Sequence, residues 1–258
     1  MLYRALLLFP WLPLFPMFFG NPGQPALQTQ GVIIQDSWVS LRVGYVGDYL
    51  YRQRYTDEFK IDSLITSPTF VKLSTDAAEI TLNFKNRLDI YALIGQSTLQ
   101  VDKDVFTDWK FSWGVGGKLI LFQQGNFRIG ADGKYFQSRQ APRYLVGDNL
   151  PYPVVTNFIL KYEEMQGAVG MSYQLAWLCP YMSLTYLLSK IDPNPMIVLV
   201  RLPDSNTIVD IVSKSVVTQR RWGMALGATL LGGTQSSLTI ESRLFNQDGF
   251  DINGELRF

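Results

Sequence analysis

The sequence predicts an all-β chain: a transmembrane antiparallel β-barrel of about twelve strands with both termini on the periplasmic side. Three observations carry that expectation. The first is the closing stretch, residues 250–258, where Phe250, Ile252, Leu256 and Phe258 share a face with Gly254, and Asp251, Asn253, Glu255 and Arg257 share the other. Successive side chains of a strand point to opposite faces, so this strand has one apolar side and one polar or charged side. The second is composition. Of 258 residues, 47% are hydrophobic and 17% charged, where an average soluble protein has about 25% charged. Mean hydropathy is nevertheless only +0.05, which suits strands that give alternate residues to lipid. The third is that every predicted strand keeps one face free of charge across its middle. A lipid-facing wall must do so, because Arg or Lys at the bilayer midplane costs about 2–4 kcal/mol. A soluble sandwich would share the period but turn its apolar faces inward.

Residues 1–20 read as a secretory signal. Arg4 gives the positive start, and Ala5 to Phe19 is wholly apolar or proline. That run is too short to span a bilayer, and Pro10, Pro13 and Pro16 would break a helix. Phe18 stands where a small residue would mark cleavage after Gly20, so the cut position stays open. Residues 21–258 are the barrel domain, led by an irregular segment, 21–36. Residues 37–54 form the first strand, with Val39, Leu41, Val43 and Tyr45 opposite Ser40, Arg42 and Gly44. Residues 76–85 and 87–98 make a hairpin about Asn86, and 107–122 and 126–138 make another about Gly125. Strands then follow at 161–176, 179–190, 195–202, 207–217, 219–231 and 236–245, before the closing strand.

Short turns at Asn86, Gln124, Trp177, Asp204 and Gly232 alternate with mostly longer connections at 55–75, 98–107, 139–160 and 191–195. Outer-membrane barrels keep short turns in the periplasm and long loops outside the cell. Charged residues gather on the face opposite the apolar one. Arg42, Lys110, Lys118, Arg128, Asp132, Lys134, Glu241 and Arg243 are the candidate pore-lining set, and Glu79, Asp89, Arg221, Glu255 and Arg257 share their face. Cationic rings favour anions and carboxylates favour cations, so with both signs present no selectivity follows. About eight strands leave a side-chain-filled interior and roughly 16–18 an aqueous channel. A pore of intermediate strand number is narrow, and segment 21–36 or 139–160 could plug it.

Several chemistries are excluded or unsupported. The chain has no histidine, which removes Ser-His-Asp and Cys-His nucleophile systems and histidine metal ligands. Cys179 is its one cysteine, so no internal disulfide and no cysteine zinc cluster can form. Residues 114–118 superficially suggest a phosphate loop, but the glycine spacing and the Ser/Thr after Lys118 are missing. Asp102, Asp104 and Asp108 lack calcium-loop spacing. A net charge of +1 gives no support to a nucleic-acid partner. No enzyme activity, cofactor or metal is expected.

Residues 20–25, Gly-Asn-Pro-Gly-Gln-Pro, resemble the mature N-terminal motif of the chlamydial major outer membrane protein family. Residues 40–49 are similar to that family's first strand, and 83–95 to its first hairpin. Residues 175–184, with Pro180-Tyr181, and 241–244 also look like it. The ending Asn253-Gly254-Glu255-Leu256-Arg257-Phe258 is similar to the family's Asn-Ala-Gln-Phe-Arg-Phe. The resemblance keeps the family's order from about residue 20 to the end. It implies a trimeric porin and surface antigen of the cell outer membrane, crosslinked through cysteines. This chain departs from it in being shorter, with trimmed loops and a single cysteine, which puts crosslinking and trimer formation in doubt. The expected partners are outer-membrane lipid, the barrel-insertion machinery reading Phe258, and further copies of the chain. Two functions stay open: a passive pore for ions or small polar solutes, and a closed structural or adhesive barrel acting through its surface loops.

Overall fold

The computed structural model describes residues 19–32, 38–56, 70–101, 105–145, 159–193, 196–199, 208–211 and 215–258. In chain order the strands are β1 (Val39–Thr56), β2 (Phe70–Phe84), β3 (Leu88–Val101), β4 (Val105–Thr107), β5 (Lys110–Gln124), β6 (Phe127–Gln140), β7 (Pro142–Leu145), β8 (Leu160–Tyr173), β9 (Leu178–Pro193), β10 (Met196–Leu199), β11 (Ile208–Ile211), β12 (Val216–Thr218), β13 (Trp222–Gly232), β14 (Ser236–Leu244) and β15 (Gln247–Arg257). Ten of these are long, and each pairs antiparallel with its neighbours in the order β1, β2, β3, β5, β6, β8, β9, β13, β14, β15. β15 then returns to β1, with Val43 opposite Leu256, and closes the barrel. Closure removes the free edges that would otherwise expose backbone groups to lipid.

The wall therefore has ten strands rather than about twelve. Val216 and Val217, at the end of segment 207–217, fall in β12, which bridges β9 and β1 at the rim; the rest of 195–202 and 207–217 contributes β10 and β11, which pair only with each other. At four residues each they are too short to cross, since a spanning strand needs about 9–11. β9 instead pairs directly with β13, from Leu178 opposite Leu230 to Tyr186 opposite Trp222. The turn expected at Asp204 lies outside the described residues. Short turns join β2 to β3, β5 to β6, β8 to β9 and β13 to β14, and Val39 and Arg257 lie at that same end. At the first of these turns Lys85 and Asn86 take positive φ, 50° and 55°, the twist a tight hairpin favours.

β14 decides which face meets hydrocarbon. Leu238 and Ile240 are 41% and 37% exposed, while Arg243 is 1% exposed. Two stacked sheets would do the reverse. The same outward set continues around the wall through Val43, Ile80, Leu82, Ile90, Ile94, Val115, Leu119, Met165, Val169, Leu184 and Leu226. Exposed Trp38, Phe122, Tyr173 and Trp177 ring the short-turn end, and Tyr51, Trp109, Phe111, Trp222 and Phe245 ring the other. Paired aromatic girdles of this kind mark the two interfaces of a membrane barrel.

Candidate pore interior

Alternation along each strand sends the ionised residues into the lumen. Arg42, Lys118, Arg128, Asp132, Lys134, Glu241 and Arg243 are all buried there. Lys110 is different: it opens β5 at the long-connection end and is exposed. Arg221, expected on the same inner face, is exposed in the connection just before β13, where no barrel strand turns it inward.

Three of the inner cations are matched by carboxylates at close range. Arg243 Nη2 lies 2.6 Å from Asp48 Oδ1 and 3.2 Å from Asp251 Oδ1. Arg42 pairs with Asp89 and stands 3.7 Å from Glu255, and Lys118 stands 3.8 Å from Asp132. Such pairing is what makes a charged interior tolerable, because an unpaired buried charge is severely penalised. Two tyrosines brace the carboxylates. Tyr91 donates to Asp132 at 2.9 Å, and Tyr181 donates to Glu241 at 2.8 Å. Each ring lies over a glycine across the sheet, Gly116 for Tyr91 and Gly227 for Tyr181, where a Cβ would overlap the ring. The glycines of 114–118 thus serve packing in a strand wall.

The lumen of the short-turn half is occupied by the chain itself. Residues 19–28 rise from the short-turn mouth, where Val32 N donates to Arg257 O at 2.9 Å, to mid-height, where Phe19 and Gly20 amides donate to Glu241 at 3.1 and 3.0 Å. Asn21 Nδ2 donates to Thr229 Oγ1 at 3.0 Å and to Cys179 O at 3.3 Å. Gln24 and Gln28 donate to Ser237 at 3.1 and 3.0 Å, and Gln24 also reaches Glu255. The wall donates in return: Arg42 to Gln24 O at 3.3 Å, Asn83 to Pro25 O at 3.0 Å, and Arg257 to Gln28 O. Phe19 packs between the small side chains of Ala168 and Ala225. A single 3-10 turn, Gln24–Ala26, with Pro25 inside it, compacts the segment. Gly130 lets it approach, since a Cβ there would run into the Pro22 carbonyl.

The long-connection half is filled differently. Leu50, Tyr55, Val71, Leu73, Leu99, Val101, Val105, Phe136, Leu160, Tyr162, Ile191 and Val216 form one buried apolar cluster within the barrel. The expectation of a polar inner face along the whole lumen is corrected here. A signal for it exists in the sequence: the apolar phase reverses along the strand. In β2, Ala78, Ile80 and Leu82 face outward, whereas Val71 and Leu73, of the opposite parity, face inward beside exposed Lys72. In β8, Met165 and Val169 face outward while Leu160 and Tyr162 face inward. A strand that leaves hydrocarbon for water must bury its apolar residues on the other side, so the reversal marks the membrane boundary.

No family model matches the chain. Curated relatives are similar along nearly its whole length. The major outer membrane porin, serovar E, of Chlamydia trachomatis is 21% identical, covering 93% of this chain and 94% of its own. The major outer membrane porins of Chlamydia abortus and Chlamydia psittaci are 23% and 24% identical with the same coverage. The chain is a distant relative of the chlamydial major outer membrane porins. It lies in the outer membrane, as they do by name. The serovar E alignment runs over 368 positions against a chain of 258, so that porin carries long insertions relative to this chain. Among solved structures, the β domain of the Bordetella autotransporter BrkA covers 86% of this chain at 10% identity and a TM-score of 0.47. The translocator domain of NalP from Neisseria meningitidis covers 86% at 10% identity and 0.43.

Proposed function

We propose that the chain is an outer-membrane porin whose short-turn half is plugged by its own residues 19–28, and that withdrawal of this segment, with parting of the apolar contacts in the other half, admits ions or small polar solutes. The observation that carries this reading is a separate segment seated in a charge-lined lumen by hydrogen bonds rather than by membership of the sheet. Backbone hydrogen bonds of a closed barrel cannot be released singly without opening the wall, whereas a docked segment leaves as a unit. The burial of seven of the eight candidate residues inside the barrel, with both charge signs present, supports this reading. In this reading the partners are outer-membrane lipid, the insertion machinery that recognises Phe258, and further copies of the chain. No catalytic role is included, because the chain lacks the histidine of a serine triad.

The test is planar-bilayer recording on folded protein with and without residues 19–28. The expected result is rare or no opening for the full chain and frequent, larger steps for the shortened one. Silence from both, with heat-modifiable migration showing intact barrels, would overturn the reading. A second reading is favoured by the apolar cluster in the long-connection half: a permanently closed barrel that works through its outer loops. That outcome predicts silent bilayers together with loop-dependent binding to host cell surfaces.

A further inference from the structure

At the long-connection rim, on the outside of the wall, β1 and the turn from β14 to β15 enclose a groove of 330 Å³ lined by Arg52, Arg54, Arg220, Phe245, Asn246 and Asp248 among others. The three arginines come from two distant stretches of chain. A backbone bond holds those stretches together, Gln219 N donating to Arg54 O at 2.9 Å, and the Asn246 side chain ties the second stretch to the β14–β15 turn, its Nδ2 donating to Arg221 O at 3.3 Å. Two guanidiniums are also oriented. Arg52 and Arg54 lie 4.4 and 5.4 Å from the centroid of the Phe70 ring, which stiffens both side chains without consuming their hydrogen-bond donors. None of the three has an ion-pair partner among the described residues. This contrasts with Arg42 and Arg243 inside the lumen, each of which stands against two carboxylates. One carboxylate, Asp248, faces three guanidiniums, so the groove is net positive.

Its height defines the ligand. Exposed Tyr51, Trp222 and Phe245 sit beside these arginines in the outer aromatic girdle, which places the groove at the level of the headgroups rather than in hydrocarbon. Planar guanidiniums match the oxygens of a phosphate in forked, charge-assisted pairs. We propose that Arg52, Arg54 and Arg220 form a phosphate-binding site at the outer membrane surface, taking a phosphate monoester carried by an outer-leaflet glycolipid. The site is independent of whether the lumen conducts.

The experiment uses the full folded chain in detergent, titrated separately with bisphosphorylated lipid A, dephosphorylated lipid A and inorganic phosphate, with bound species counted by native mass spectrometry. The wild type is expected to bind bisphosphorylated lipid A at least about tenfold more tightly than the dephosphorylated form, the ratio that loss of one charge-assisted bond produces. The triple variant Arg52→Gln, Arg54→Gln, Arg220→Gln is expected to lose that preference while keeping heat-modifiable migration. The corresponding lysine variant retains part of it, since charge survives but the fork does not. Saturable binding of inorganic phosphate alone, with the same arginine dependence, supports phosphate recognition and assigns a soluble source. Equal binding of the two lipids, or unchanged binding by the folded glutamine variant, overturns the proposal.

Discussion

In the half of the barrel near the long connections, Leu73, Leu99, Leu160 and Ile191 meet across the lumen, and apolar contact, with hydrogen bonds from Gln53 to Ser189, Gln140 to Ser138 and Tyr162 to Glu164, holds the interior shut. In the half near the short turns, Arg42, Asp89, Arg243 and Asp48 line the same lumen, and the inserted segment 19–28 fills what the side chains do not. The wall is continuous through both, so the difference lies in surroundings. Where hydrocarbon lies outside, the apolar face must point out and the polar residues are forced inward. Where water lies outside, the strand reverts to the logic of a soluble barrel and buries its apolar residues. One seal is part of the wall's own packing, whereas the other is a detachable segment.

Substitutions sharpen that contrast. The largest effect is expected from Arg243→Ala, which strands Asp48 and Asp251 in a dry interior and should cost about 3–5 kcal/mol in urea unfolding of the folded barrel. A loss below about 1 kcal/mol would mean that water reaches those carboxylates. Leu99→Ala in the other half removes buried volume and should cost about 2–5 kcal/mol, read in the same unfolding series. A negligible cost there would break the idea of a packed apolar seal.

Gly130→Val is expected to act selectively. Its side chain collides with the Pro22 carbonyl, and overpacking of this kind costs about 1–3 kcal/mol, here relieved by expelling segment 19–28. Protease should then cut the segment while the barrel still shifts on heating; continued protection would show that the wall yields instead. The smallest effect belongs to Asn21→Ala, which loses the bonds to Thr229 and Cys179 O. A net cost of about 1 kcal/mol raises the open population of the segment roughly fivefold, measurable as a faster cut; an unchanged rate would remove Asn21 from the docking.

Much of the wall was legible because one period governs it. The closing strand, the hairpin about Asn86 and the inward placement of Arg42, Glu241 and Arg243 all follow from alternation and the cost of charge in lipid. The strand number was not legible. Segments 195–202 and 207–217 have strand-like composition, but only the pairing of Tyr186 with Trp222 shows that β9 meets β13 directly, with Val216 and Val217 reaching the sheet only at its rim. The lumen contents were half legible. Segment 21–36 was a candidate plug of a narrow lumen, yet the docked residues include Phe19, inside a run that reads as a signal by its apolar character. The apolar cluster is hidden from a single in-out assignment because the apolar residues change face within a strand. Val71 and Leu73 against Ile80 and Leu82 already record the change of phase.

The orientation of the wall can be measured directly at two neighbouring positions of β14. With Cys179→Ser as background, a probe is attached to a cysteine at position 240 or 239, and quenching by brominated lipid is compared in reconstituted bilayers. Strong quenching at 240 and little at 239 is the predicted result, because Ile240 faces outward and Thr239 is buried in the lumen. Equal quenching, or the stronger signal at 239, would contradict a barrel with its charged face inward.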